Sequence, residues 1–147
     1  MIDLFRPHHV GWAVADIAAA ERAFLGTGYS PDPSLPGVTD SSFGVQLRFI
    51  RPTKRAGAGE AGPLIELIAP AGGASAVSRI LERSGPGPYH LGYCVDDLAS
   101  AAGELRQRGF RPVAPPQAAP AFGGREVQFL HHQALGLIEL IAWPQGS

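Results

Sequence analysis

The residues HVGWAVADIAAA at 9–20 return as HLGYCVDDLASA at 90–101, without a gap and at an offset of 81. The match runs on to Gly28-Tyr29 against Gly109-Phe110, and each half closes on the same hexapeptide, LIELIA, at 64–69 and 137–142. A repeat of this length constrains the fold strongly, because each copy must be one supersecondary unit that needs its twin to cover its open face. The order of signals is the same in both copies. A short apolar stretch ending near Val14 or Val95 precedes an aspartate suited to N-capping, Asp16 or Asp97, then an amphipathic helix and a glycine stop. A connection rich in Pro and Gly follows, then an alternating stretch, VQLRFI (45–50) or REVQFL (125–130), and then LIELIA. Each half reads as β-α-β-β-β, so the fold class is α+β, two βαβββ modules in tandem forming curved mixed sheets around a cleft. One domain over 1–147 is expected, with module 1 at about 6–70, a linker helix at about 75–84 within SAVSRILERSG, and module 2 at about 88–144.

Each LIELIA sets one acid, Glu66 or Glu139, in an otherwise apolar run, and an uncompensated carboxylate there is costly to desolvate. Side chains alternate along a strand, so His9, Gly11 and Ala13 share one face and Val10, Trp12 and Val14 the other. The second copy divides the same way, with His90, Gly92 and Cys94 opposed to Leu91, Tyr93 and Val95. The large apolar sets belong under the helices, which leaves the histidines facing the cleft beside small residues. The same alternation groups Leu64, Glu66 and Ile68, and in the other copy Leu137, Glu139 and Ile141. His9, Glu66, His90 and Glu139 are thereby directed at one place. Two neutral imidazoles and two carboxylates carry a combined charge of −2, which neutralises a divalent metal ion and compensates the buried acids. The donors are nitrogen and oxygen without thiolate, which admits zinc, cobalt, nickel, manganese or iron(II) and does not choose among them. Separations of 57 and 49 residues between His and Glu carry little by themselves; their recurrence at equivalent positions carries the argument.

Composition narrows the partners. A formal charge of −1 with no basic block argues against nucleic acid, and no apolar run approaches a membrane span. The start, MIDLFRPHHVG, lacks the features of a signal peptide, and the lone cysteine, Cys94, forms no internal disulfide, so a cytoplasmic location and a small-molecule substrate are expected. Nineteen glycines and fourteen prolines imply many turns between short elements. The stretch RPTKRAGAGEAGP (51–63) reads as a mobile hairpin loop without chemistry.

At these residues the chain resembles the vicinal-oxygen-chelate superfamily, the glyoxalase/bleomycin-resistance/dioxygenase group, over nearly its whole length. It is most similar to methylmalonyl-CoA epimerase-like proteins. HVGWAV (9–14) matches their HIGIAV strand, GPGPYHLGYCVDD (85–97) their GxGxHHIAY-VDD segment, and FLHHQALGLIEL (129–140) their later FLHP…GVLIEL region. The resemblance implies His9, Glu66, His90 and Glu139 as metal ligands, an acyl-CoA among the candidate substrates, and a homodimer. Three departures stand out. Leu47 occupies the place where some bacterial epimerases carry a second catalytic glutamate, His131-His132-Gln133 replaces their HPK, and Tyr89 stands where they usually have histidine.

The implied chemistry is that of an epimerase or isomerase, moving a proton next to a carbonyl through a metal-stabilised enolate, with Glu139 as the base and Glu66 as its partner. Alternatives within the resemblance are a glyoxalase-like lyase or isomerase acting on another small substrate, an extradiol dioxygenase, and a bleomycin-resistance-type binding protein that needs the cleft and no metal. Cys94 reads as a small core thiol; His8, on the opposite strand face from His9, and His131 and His132, near a loop, as surface residues or neighbours of ligands; and Trp12, Tyr93 and Phe110 as core. Phe43, Leu47, Phe49 and Phe122 are candidates to line an apolar pocket. Loops 30–44, 51–63 and 114–124 decide the substrate.

Overall fold

The computed structural model describes residues 5–35, 37–53 and 62–146. Most of the 51–63 loop expected from sequence lies outside the described residues. The chain divides into two compact units, Val10–Pro88 and the described parts of Met1–His9 with Tyr89–Ser147. The first strand, β1 (Arg6–Ala13), contributes residues to both.

In the unit Val10–Pro88, β1 is followed by α1 (Ile17–Leu25), β2 (Tyr29–Pro31), β3 (Val38–Asp40), β4 (Val45–Pro52), β5 (Leu64–Pro70) and α2 (Ala76–Ser84). Asp16 caps α1 by accepting from Ala19 N at 2.9 Å, as its place in the repeat suggests. The helix lays Ile17, Ala20 and Phe24 against a core of Val14, Ile50, Ile65, Leu67 and Ala69, the spacing of one helical face. Trp12 meets Phe24 edge to face at 5.1 Å, which confirms that the large residues of β1 lie toward the helix. Strand β4 pairs antiparallel with β5 in a register that sets Phe49 opposite Glu66. Thr53 N donates to Gly28 O at 2.7 Å and Tyr29 Oη to Pro63 O at 2.9 Å, fixing both ends of the 51–63 connection.

The other unit repeats the plan. Strand β6 (Gly87–Val95) leads to α3 (Leu98–Gln107), capped by Asp97 on Ser100 N at 2.8 Å, then to β7 (Arg111–Pro112), β8 (Gln117–Ala118), a 3-10 turn at Pro120–Phe122, β9 (Glu126–His132) and β10 (Gly136–Ala142). Strand β10 runs parallel to β6 and antiparallel to β9. Val95, Leu98, Ala101, Ala102, Leu130, Ile138 and Leu140 form its core, with Tyr93, Leu105 and Phe110 packed against them. Leu91 departs from the expectation for its face. It is 47% exposed, because β6 extends beyond the area that α3 covers and only Tyr93 and Val95 reach the core beneath the helix.

The second strand of each βαβββ module is broken in two. Strands β2 and β3 both pair with β4, and β7 and β8 both pair with β9. Prolines explain the interruptions: Pro31 and Pro33 in one unit and Pro112, Pro115 and Pro116 in the other lack the N–H that a continuous ladder requires. The breaks are held at equivalent points, by Asp32 N on Phe49 O at 3.1 Å and by Val113 N on Phe129 O at 2.9 Å. The side chains there differ. Val113 is exposed, whereas Asp32 is buried and accepts from Ser34 N at 3.0 Å, Ser34 Oγ at 2.7 Å and Arg51 Nε at 2.8 Å.

Burial pushes the Asp32 carboxyl up, but the Ser34 hydrogen bonds and the Arg51 guanidinium outweigh it and hold the group below its ordinary value. A depressed carboxylate stabilises the fold above its unfolded pKa of about 4 and loses that contribution as pH falls through the lowered folded value. Asp32→Asn is therefore expected to lower unfolding free energy by about 1–3 kcal/mol at neutral pH. Urea titrations should show the gap from wild type closing on acidification.

Candidate metal centre

The parallel register of β6 and β10 places Leu137 beside His90 and Glu139 beside Gly92. Paired residues in a sheet project to the same side, so His90, Gly92 and Glu139 share one face. Gly92 matters here for what it lacks. A Cβ at that position would lie 2.1 Å from His9 Cε1 and 2.5 Å from His9 Nδ1, so the His9 ring occupies the volume that any other residue would fill. It thereby reaches both partners. His9 Nε2 lies 3.0 Å from His90 Nε2 and 3.2 Å from Glu139 Oε1, and His90 Nε2 lies 3.5 Å from the same oxygen.

All three side chains are buried, the imidazoles completely and Glu139 to within 5%. Aromatic rings enclose them: Phe122 stacks on His9 at 5.8 Å, while Tyr89 and Phe129 stand edge-on to His90 at 4.6 and 5.2 Å. Phe129 is also the cross-strand partner of Glu139. Burial raises the Glu139 carboxyl, but the His9 and His90 imidazoles outweigh it and carry it down to about 2, so the group is ionised throughout the ordinary pH range.

These residues fit a metal ion. Among the described residues no hydrogen bond of good geometry reaches Glu139 Oε1, a buried anionic oxygen aimed at two ring nitrogens. Metal–ligand bonds of about 2.0–2.2 Å to nitrogen and oxygen place neighbouring donor atoms about 3.0–3.5 Å apart, and the three separations fall in that range. The cluster can hold a divalent cation.

Three of the four expected ligands, His9, His90 and Glu139, are thus brought together in one unit. Glu66 lies on β5 of the other, 3% exposed and opposite Phe49, as Glu139 lies opposite Phe129. Of the apolar candidates, Phe122 contacts a ligand and Phe49 is buried, while Phe43 and Leu47 are half-buried. Leu47 faces Val38 and Ile68 across its strand neighbours. Cys94 is buried and its thiol pushed up by that burial, consistent with a packing role. His131 is exposed, and His132 rests on Phe110 and accepts from Ala134 N.

His8 was expected on the opposite face from His9, yet its Nδ1 lies 2.8 Å from His9 Nδ1. The same ring also contacts Phe122 and Trp143, each with centroids 5.6 Å away. Burial first, then His9, lowers its pKa to about 4, against a smaller opposing pull from Glu139. His8 also borders a cavity of about 230 Å³ with Arg6, Cys94 and Trp143. Sequence reasoning missed Gly92 and Phe129 as parts of the site. The signal for Phe129 was present in the repeat, since Phe49 and Phe129 recur before the two LIELIA segments.

A duplicated α+β chain with a buried His/Glu cluster of metal-ligand type defines the class of protein. The chain belongs to the glyoxalase/bleomycin resistance protein/dioxygenase superfamily, whose family model matches residues 8–129. Among solved structures, it is similar to methylmalonyl-CoA epimerase from Mycobacterium tuberculosis, at 25% identity and a TM-score of 0.74, over 92% of this chain and 86% of that one. A selenomethionine methylmalonyl-CoA epimerase matches at 26% identity and a TM-score of 0.74, over 99% of this chain and 100% of the other. A variant of the Streptomyces coelicolor epimerase in complex with 2-nitronate-propionyl-CoA matches at 25% identity and a TM-score of 0.75, covering 94% of each chain. No curated protein matches the chain in sequence. Among the described residues no helix is long and apolar enough to cross a membrane.

Replacing Gly92 by Ala should displace the His9 ring while leaving the β6–β10 ladder intact. The expected outcome is unchanged far-ultraviolet circular dichroism with divalent-metal affinity weakened at least about tenfold in chelator competition.

Proposed function

We propose that the protein is a metal-dependent isomerase of the epimerase type, moving a proton on the carbon next to a carbonyl group. The observation that carries this reading is the convergence of His9 Nε2, His90 Nε2 and Glu139 Oε1 on one buried point. The ligand set we assign is His9, Glu66, His90 and Glu139. Glu66 is included because it occupies the place in its repeat that Glu139 occupies in the other, buried and paired with a phenylalanine. Two carboxylates and two neutral imidazoles balance the charge of a divalent ion.

When bound, the ion supplies a Lewis acid for the substrate's carbonyl oxygen, which makes the neighbouring C–H acidic. The remaining work belongs to the side chains. Glu139 is ionised and so holds a carboxylate able to receive a proton, with Oε1 facing the imidazoles. Phe122 and Phe129 pack against the two imidazoles and give the cluster an apolar wall, which strengthens the local electrostatics. Epimerisation requires a proton to leave one face of the carbon and return on the other. Leu47 carries no ionisable group, so the partner we assign to the other face is Glu66, which delivers a proton only from its protonated form and ends ionised as Glu139 ends protonated. The candidate substrate class is an acyl-CoA with an acidic α-carbon. It is supported by the similarity to the epimerase bound to 2-nitronate-propionyl-CoA.

The test is deuterium incorporation at the α-carbon of a 2-methyl-branched malonyl-type thioester, followed by proton NMR. Exchange is expected with metal-loaded wild type and should fall by about 10²–10⁴-fold in Glu139→Gln. Exchange at the wild-type rate in that variant would remove Glu139 from the proton-transfer role.

A further inference from the structure

His8 is not among the four ligands, yet the 2.8 Å separation of its Nδ1 from His9 Nδ1 restricts which protons the two rings carry. Two bare ring nitrogens at that distance would repel, and two N–H groups would clash, so one donates and the other accepts. His9 Nε2 is the atom turned toward His90 Nε2 and Glu139 Oε1. A metal ligand must offer a lone pair there, which leaves the proton of neutral His9 on Nδ1. The donor is then His9 Nδ1–H and the acceptor His8 Nδ1.

The geometry points to His8 as a positioning residue that holds His9 in the tautomer and ring orientation needed for a metal ion. The inference rests on the proposed metal-dependent reading of the site. His8 is itself held firmly. Its ring packs edge-on against Phe122 at 5.6 Å and lies over Trp143 at 5.6 Å. Trp143 in turn is fixed by its backbone N–H on Val95 O at 2.9 Å and by the Arg125 guanidinium 4.2 Å from its ring centroid. Phe122 touches both histidines, so it sets their mutual angle as well as covering the cluster. Outer partners that fix a ligating histidine in this way raise its basicity and remove the freedom of the ring to turn away.

Two substitutions separate this role from simple packing. His8→Phe keeps a ring against Phe122 and Trp143 and removes the acceptor. His8→Asn gives up the ring and keeps an acceptor, because Asn Oδ1 takes nearly the place of His Nδ1. The measurement is zinc affinity by competition with a chromogenic chelator, with thermal unfolding of the metal-free proteins to confirm that each variant folds. Affinity should fall about 10–100-fold in His8→Phe and stay within a few-fold of wild type in His8→Asn. Zinc-loaded wild type labelled with ¹⁵N should also show a scalar coupling between the two Nδ1 atoms across the shared proton. Undiminished affinity in His8→Phe, or the reverse order of the two variants, would overturn the role for His8 and leave the metal centre standing. Failure of wild type to take up zinc would overturn the metal reading itself and the inference with it.

Discussion

The structure depends on a carboxylate held out of water. Burying an unpaired carboxylate costs several kcal/mol even after the surroundings relax, and Glu139 is both buried and ionised. The two imidazoles offset part of that cost by proximity, at 3.2 and 3.5 Å, without a well-aligned hydrogen bond to Oε1. The local arrangement follows from keeping these three groups together. The parallel β6–β10 register sets Glu139 beside a glycine, the absent side chain admits His9, and three aromatic rings close over the result.

Apolar packing supplies the frame that makes this placement repeatable. The residues on either side of Glu139, Ile138 and Leu140, belong to the core beneath α3, so the strand cannot rotate without exposing them. A one-residue slip of β10 would turn Glu139 into that core and expose the apolar set, which makes the register strongly specified. The same alternation applies around Glu66, where Ile65 and Leu67 join the core under α1.

Much of this was legible from the repeat. Offsets and alternation led from HVGWAV and HLGYCV to the faces of His9 and His90, and from LIELIA to two buried acids. They worked because a duplicated motif tests each assignment twice. Less legible were features that depend on three-dimensional closeness. Gly92 looked like one small residue among several, and only the position of the His9 ring shows why a larger one is excluded. Alternation puts His8 on the strand face away from His9, and the approach of their Nδ1 atoms to 2.8 Å depends on where the two rings turn, which the sequence does not carry. The split second strands are hard to see in sequence because closely spaced prolines mark connections, although short segments between them still pair with β4 and β9. Asp32 and Arg51 have no counterparts in the other repeat, so no internal comparison could reveal their pairing.

The most direct measurement is the metal content of purified protein after reconstitution with a divalent ion and removal of excess, alongside Glu66→Ala and Glu139→Ala. The expected result is about one ion per chain in wild type and a large loss in both variants. A folded wild-type protein that retains no ion under these conditions would contradict the account, leaving the duplicated LIELIA strands as structural elements of a binding protein.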